Sequence, residues 1–256
     1  MKGILFGMAL LLVGGCSSRE GRPREILSRE IQPSEVRLRE FRLKEVQPEE
    51  AQPGKVRAQG VQSEVFRPRE GDLLFQVNEP SAMTDAIVEA TARDGAPGFS
   101  HVAIYCEEQG EGRVLEASGE GGVRCVTIEE FLRSSARIDG RPGVVVKRVK
   151  GEVEFPVGQA IERARSHIGE PYDYSYRPGN GRMYCSELVY VSYLRADGTP
   201  LFTARPMNFR NAAGELPAFW AELFERLGEP VPEGVPGTNP NDMAAEPLLE
   251  EVGRYF

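Results

Sequence analysis

Met183-Tyr184-Cys185-Ser186-Glu187-Leu188-Val189-Tyr190 is the stretch from which the rest of the chain reads. Turn formers precede it, Arg177-Pro178-Gly179-Asn180-Gly181, and an amphipathic run over residues 187–194 follows. That order predicts a loop and then a helix, with Cys185 in its first turn. Unpaired N–H groups at a helix N-terminus favour negative charge, and so favour thiolate, the nucleophilic form of cysteine. A cysteine in such a run can also be a small buried apolar residue. The choice depends on whether the rest of the chain supplies a base.

The chain has 256 residues, 40% of them hydrophobic and 27% charged, which is ordinary for a globular protein of one or two domains. The net charge is −8 with no basic cluster, so nucleic acid is not an expected partner. Paired motifs such as CxxC and HExxH are absent, as are G-x-S-x-G and glycine-rich phosphate loops. No metal and no cofactor are therefore expected. His101 and His167 are the two histidines, so a histidine-dependent mechanism has two candidates.

The N-terminus reads as an address. Lys2 gives a positive start, and residues 4–13 form an apolar run too short to span a bilayer. It ends in Val13-Gly14-Gly15-Cys16-Ser17-Ser18, which resembles the lipobox of bacterial lipoproteins. On that reading residues 1–15 are a signal peptide and Cys16 is lipidated. Ser17 after the cysteine would favour the outer membrane, with the protein facing the periplasm or the cell surface. Several acyl chains anchor stably where one does not.

Residues 20–69 repeat every five: EGRPR, EILSR, EIQPS, EVRLR, EFRLK, EVQPE, EAQPG, KVRAQ, GVQSE, VFRPR. A period of five fits neither helix nor strand, and the recurring proline forbids a regular helix. Residues 16–70 are expected to be a lipid-anchored linker, reaching on the order of 150 Å at ~3.1 Å per residue if fully extended. A narrow solenoid is the alternative.

Composition changes at Gly71, and residues 71–256 read as the domain. Strands are expected over residues 71–77, 99–106, 113–117, 123–128 and 143–149. Helices are expected over 81–93, capped by Ser81, and over 129–135, 155–168 and 216–227. The 155–168 helix would present Val157, Ile161, Ala164 and Ile168 to the core, with His167 off that face. The sum is an α+β domain: an antiparallel sheet of about five strands packed against helices. His101 and Glu116 fall on neighbouring strands, and Cys185 on a helix that follows the sheet in sequence. A thiolate needs a base within hydrogen-bond reach, and the base needs a third group to orient it.

These blocks resemble the NlpC-type papain-like cysteine peptidases, in a swapped order. Gly71-Asp72-Leu73 comes first, then His101-Val102-Ala103-Ile104-Tyr105, then Leu115-Glu116-Ala117. Only then come Gly169-Glu170-Pro171-Tyr172 and Tyr184-Cys185-Ser186-Glu187-Leu188-Val189. The order resembles the circularly permuted, YiiX-like branch, and lecithin–retinol acyltransferase-like enzymes share it. The tail over residues 231–240 is also similar to that branch. The resemblance runs from Gly71 onward and implies a papain-like fold with Cys185 as nucleophile and His101 as base. It implies Glu116 as the group orienting His101 and Tyr172 as a substrate or oxyanion contact. Tyr184 stands where the ordinary family has Asp.

The implied activity is that of a lipid-anchored cysteine hydrolase acting through an acyl-enzyme. The amide cleaved would be a peptidoglycan stem peptide or a related acyl-amide. Acyltransfer or lipid hydrolysis, and a non-catalytic module binding cell wall or lipid, are the alternatives. Cys106 and Cys125 fall on expected strands, either as a disulfide or as two separate buried thiols.

Overall fold

Alternation along the strands builds two cores. In the computed structural model, which describes residues 66–256, Leu73 and Phe75 enter one core and Leu74 the other. The signal peptide, Cys16 and the five-residue units up to residue 65 lie outside the described residues.

In chain order the elements are β1 (Leu73–Gln76), α1 (Ala82–Thr91), β2 (His101–Glu108), β3 (Glu111–Ser118), β4 (Gly122–Thr127) and α2 (Ile128–Arg133). Then come β5 (Arg137–Ile138), β6 (Arg141–Pro142), β7 (Val144–Val149), α3 (Val157–Ser166) and α4 (Cys185–Ser192). The last are β8 (Arg205–Pro206), α5 (Ala218–Leu227), β9 (Pro236–Gly237), α6 (Pro240–Ala244) and β10 (Leu249–Arg254). Ser81 caps α1 as expected, and Thr127 with Glu130 forms a capping box on α2.

The main sheet has six strands in the order β10-β7-β1-β2-β3-β4, all neighbours antiparallel. The expected five are all present. The sixth, β10, comes from the tail. Its sequence, Leu249-Glu250-Glu251-Val252-Gly253-Arg254, has one fully buried residue and carries no strong strand signal. Pairing with β7 gives it its structure. Asn239 as N-cap with Pro240 behind it makes the short α6.

The larger core lies between the sheet and α1, α3, α4 and α5, and includes Val102, Ile104, Leu115, Ala160, Leu188 and Trp220. The smaller core lies on the other face, where Phe131 of α2 meets Leu74, Ala103, Tyr105 and Val146. Each Val, Leu, Ile or Phe side chain among them, fully buried, contributes about 1.5–3 kcal/mol. Phe66 packs edge-on against Tyr255, with ring centroids 6.4 Å apart. Among the described residues, packing thus reaches back at least five residues before Gly71.

Ile168 departs from expectation. It is 48% exposed, because α3 stops at Ser166, His167 caps it and Gly169 turns the chain at φ 95°. Ala160 takes its place on the buried face beside Ile161 and Ala164.

A hydrogen bond from the end of α4 and a buried ion pair to β7 meet at the start of β1. The Tyr193 hydroxyl at the C-cap of α4 donates to Gly71 O at 3.0 Å. Asp72 is fully buried and accepts from Arg148 Nε at 2.6 Å and its NH2 at 2.7 Å. The Gly71-Asp72-Leu73 block is therefore a structural anchor for the cysteine helix.

Candidate active site

β2 and β3 pair only as far as Ile104 opposite Leu115, although both strands run on. Past that point they part, and His101 and Glu116 flank the opening. β2 stays paired with β1 there, Gln76 opposite His101. β3 stays paired with β4, Glu116 opposite Arg124. Each side chain therefore comes from a strand held firmly on its other side.

His101 Nε2 and Glu116 Oε2 are 2.8 Å apart, and both residues are buried. The other carboxylate oxygen of Glu116 accepts from Arg124 Nε at 2.9 Å and lies 2.8 Å from its NH2. With Nε2 engaged, Nδ1 is the ring nitrogen left for Cys185, which acts on the imidazole together with Glu116. Burial alone would lower the imidazole pKa. The hydrogen bonds to Cys185 and Glu116, with their charges, override it and carry it from 6.5 to about 10. Burial would raise the Glu116 pKa, but His101 and Arg124 together hold it below the usual carboxylate value.

Cys185 is the first residue of α4, as the loop-then-helix reading expected, and is buried. At that position its N–H has no intrahelical acceptor. Tyr184 before it is extended at φ −97°, and its hydroxyl accepts from Thr238 N at 3.2 Å. Glu187, one turn on, accepts from Tyr184 N at 3.4 Å and Gly179 N at 3.2 Å. Burial pushes the Glu187 carboxyl up to about 7.

Tyr172 reaches the same place through backbone pairing. Asp173 N donates to Met183 O and Met183 N to Pro171 O, both at 3.0 Å. The preceding loop docks on β4, with Val123 N donating to Glu170 O at 2.8 Å and Gly169 N to Val123 O at 2.9 Å. That docking needs Gly122, which has φ +64° and where a Cβ would run into the Glu170 carbonyl.

Space opens on both sides of the Cys185–His101 pair. One side is a narrow apolar cleft walled by Tyr172, Tyr176, Tyr184, Met207, Phe209 and Trp220, with Cys185 in its lining. Met207, Phe209 and Trp220 belong to the tail, so the tail forms a wall of the cleft. The other side is wider and carries more polar groups: Asn78, Ser118, Glu120 and Arg124 line it with His101 and Glu116. Tyr172 borders both.

The remaining sequence candidates lie elsewhere. His167 Nδ1 is 2.9 Å from Glu170 Oε1 at the end of α3, with a quarter of its side chain exposed. Cys106 and Cys125 are free thiols on β2 and β4, with β3 between them. Burial pushes Cys106 up to about 12 and raises Cys125. Arg124 was missed by the sequence reading, though the turn over 119–121 already places it opposite Glu116 in a regular hairpin.

The comparisons agree with this architecture. The chain is 27% identical over 197 residues to the uncharacterized protein YiiX of Escherichia coli (strain K12), covering 77% of this chain and 91% of that one. A crystal structure titled metalloprotein yiiX, from Escherichia coli O157:H7, superposes with a TM-score of 0.60 at 27% identity. It covers 75% of this chain and 99% of its own. Among the described residues, no group of three or more His, Cys, Asp or Glu is placed to hold a metal ion. Glu116 already has both oxygens engaged, so these residues do not fit a resident metal. The description of the permuted papain-like amidases, YaeF/YiiX, C92 family, matches residues 67–253. With its sheet before its cysteine helix and the antiparallel α+β fold to go with it, this chain belongs to that family of cysteine amidases.

Proposed function

We propose that this protein cleaves an acyl-amide through Cys185, His101 and Glu116, with an apolar acyl group bound in the aromatic cleft. The observation that carries the reading is the buried imidazole held at Nε2 by Glu116, which leaves Nδ1 for the thiol.

His101 Nδ1 takes the Cys185 proton, and Sγ attacks the amide carbon. The oxygen of the tetrahedral intermediate turns toward the Cys185 N–H and the Tyr172 hydroxyl. His101 then gives its proton to the leaving nitrogen. The C–N bond breaks, and a thioester remains on Cys185. Water, losing a proton to His101, attacks the thioester and releases the acid and the thiol. Glu116 holds the ring orientation and stabilises the imidazolium, and Arg124 keeps Glu116 turned toward it.

The cleft on the Cys185 side supports an apolar acyl group over a charged peptide one. The polar side supports a hydrophilic leaving amine. A screen of fatty-acyl amides against stem-peptide amides, read by mass spectrometry of the products, tests this. Preference for stem peptides would overturn the acyl assignment. Adding an acceptor alcohol to the same reaction separates transfer from hydrolysis. Lipidation of Cys16, with attachment to the bacterial envelope, is part of the same proposal. The intact mass of the chain purified from membranes tests it, and a mature chain without added acyl mass would refute it.

A further inference from the structure

Three non-glycine residues among those described have positive φ: Gln109, Asp139 and Tyr176. Gln109 and Asp139 are exposed and each precedes a glycine of positive φ at a hairpin tip, where this backbone is expected. Tyr176 is different. It is aromatic, 92% buried, at φ 51°, and belongs to no hairpin. A bulky residue keeps such a conformation only when its surroundings impose it.

Asp173 imposes it. Its carboxylate is fully buried. Oδ1 accepts from Ser175 N at 2.9 Å and from the Ser175 hydroxyl at 2.6 Å, and Oδ2 accepts from Arg177 N at 2.7 Å. The residues on both sides of Tyr176 are thus tied to one carboxylate. Asn180 Nδ2 adds a bond to the Ser175 hydroxyl at 3.1 Å.

The conformation delivers the Tyr176 ring to the centre of the aromatic wall. It packs edge-on against Trp220 at 5.4 Å and Phe209 at 5.9 Å, and lies tilted against Tyr184 at 5.4 Å. It also meets Tyr172 edge-on, at 6.4 Å and 88°. Its hydroxyl is buried with no partner at hydrogen-bond geometry, although the Tyr172 hydroxyl is its neighbour and both rings feel the charge of Cys185. A buried hydroxyl without a partner is costly. The cost is recovered if the partner arrives during the reaction.

We propose that Tyr176 is a positioning residue that acts through Tyr172. When the Tyr172 O–H turns to the developing oxyanion, the Tyr176 O–H donates to the Tyr172 oxygen, and Asp173 holds the backbone that makes this possible. The two hydroxyls are neighbours outside hydrogen-bond geometry in the free site, and the bond closes with the tetrahedral state, which is the kind of difference that raises kcat. Hydrogen bonds in such a chain also polarise one another. The inference rests on the amidase reading and on Tyr172 facing the oxyanion.

Octanal tests it on the full chain without any known substrate. The Cys185 sulfur adds to the aldehyde carbon and the thiol proton passes to the oxygen, giving a hemithioacetal whose oxygen occupies the oxyanion position. Octanamide serves as the ground-state control. Trp220, the one tryptophan of the chain and a direct neighbour of Tyr176, reports binding by fluorescence. Tyr176→Phe should weaken octanal about tenfold and leave octanamide within about twofold. Tyr172→Phe should weaken octanal more, by roughly 10²-fold. The double variant should match Tyr172→Phe alone.

Equal weakening of both ligands by Tyr176→Phe would make its role mere packing. No weakening of octanal, or a double variant as weak as the product of the two singles, would also overturn the proposal. Failure of the amidase reading looks different: octanal would then bind Cys185→Ala as well as it binds the natural chain, or would not bind the natural chain at all. The inference falls with that reading.

Discussion

Among the described residues there are two histidine–glutamate pairs of nearly the same length, 2.8 Å for His101–Glu116 and 2.9 Å for His167–Glu170. They differ in everything around them. In the first pair the side chains are 10% and 6% exposed, each comes from a different strand, and Arg124 and Cys185 stand at the two ends. In the second they are 25% and 32% exposed and three residues apart, at the end of one helix. A short distance between imidazole and carboxylate does not make a proton relay. Burial, separate rigid supports and a third partner make one, because only then is the ring's orientation set before substrate arrives.

The sharpest way to break this contrast is to remove each imidazole in turn. His101→Ala should lower kcat/KM for a cleaved acyl-amide by roughly 10³-fold or more, and Cys185→Ala by at least as much. Intact circular dichroism alongside the loss would show that chemistry, not folding, was affected.

Glu116→Gln comes next, at roughly 10²–10³-fold. Arg124 requires an oxygen, so the new amide would turn its NH2 group toward His101 Nε2 and disfavour the imidazolium. In the natural chain the alkaline limb of kcat/KM should fall near the His101 value of about 10. Losing a carboxylate that stabilises the imidazolium lets the proton leave earlier, so the Gln variant should lose activity at lower pH. A limb that stays in place would mean that Glu116 does not reach the imidazole in solution.

Arg124→Ala should cost less, about 3–10-fold, because the guanidinium is partly exposed and screened. The same substitution should soften Glu116→Gln, since the amide can then turn its oxygen to the ring. Steady-state kinetics on the four variants of this cycle would show the coupling, and additive losses would refute it.

His167→Ala anchors the other end of the comparison. Its effect on kcat/KM should stay within about twofold and its effect on unfolding free energy within about 0.5 kcal/mol. A larger kinetic effect would mean that the loop ending at Tyr172 transmits from α3 to the site.

Much of this contrast was legible in the sequence. The strands carrying His101 and Glu116 are short apolar runs bounded by turn formers, and the helix opening at Cys185 is announced by the glycines before it. His167 fell off the apolar face by its position alone. Less legible was whatever depends on two distant segments meeting. Leu249-Glu250-Glu251-Val252-Gly253-Arg254 becomes a strand only because β7 has a free edge beside it. Ile168 belongs to the apolar series by spacing, but the helix ends before the series does. Tyr176 reads as one aromatic among several until Asp173 is seen bonding to the residues on either side of it.

Phe66 packed edge-on against Tyr255 has a consequence for chain order. Residues close to the two ends of the described chain thus lie side by side on the same face of the sheet, while the turn over residues 151–154 separates β7 from α3. A chain closed between Phe256 and Phe66 and reopened in that turn would run cysteine helix first and histidine strand afterwards, with the same neighbours in space. The order in which the ribosome meets the catalytic residues is thus a matter of where the loop of chain is cut, and the site is indifferent to it.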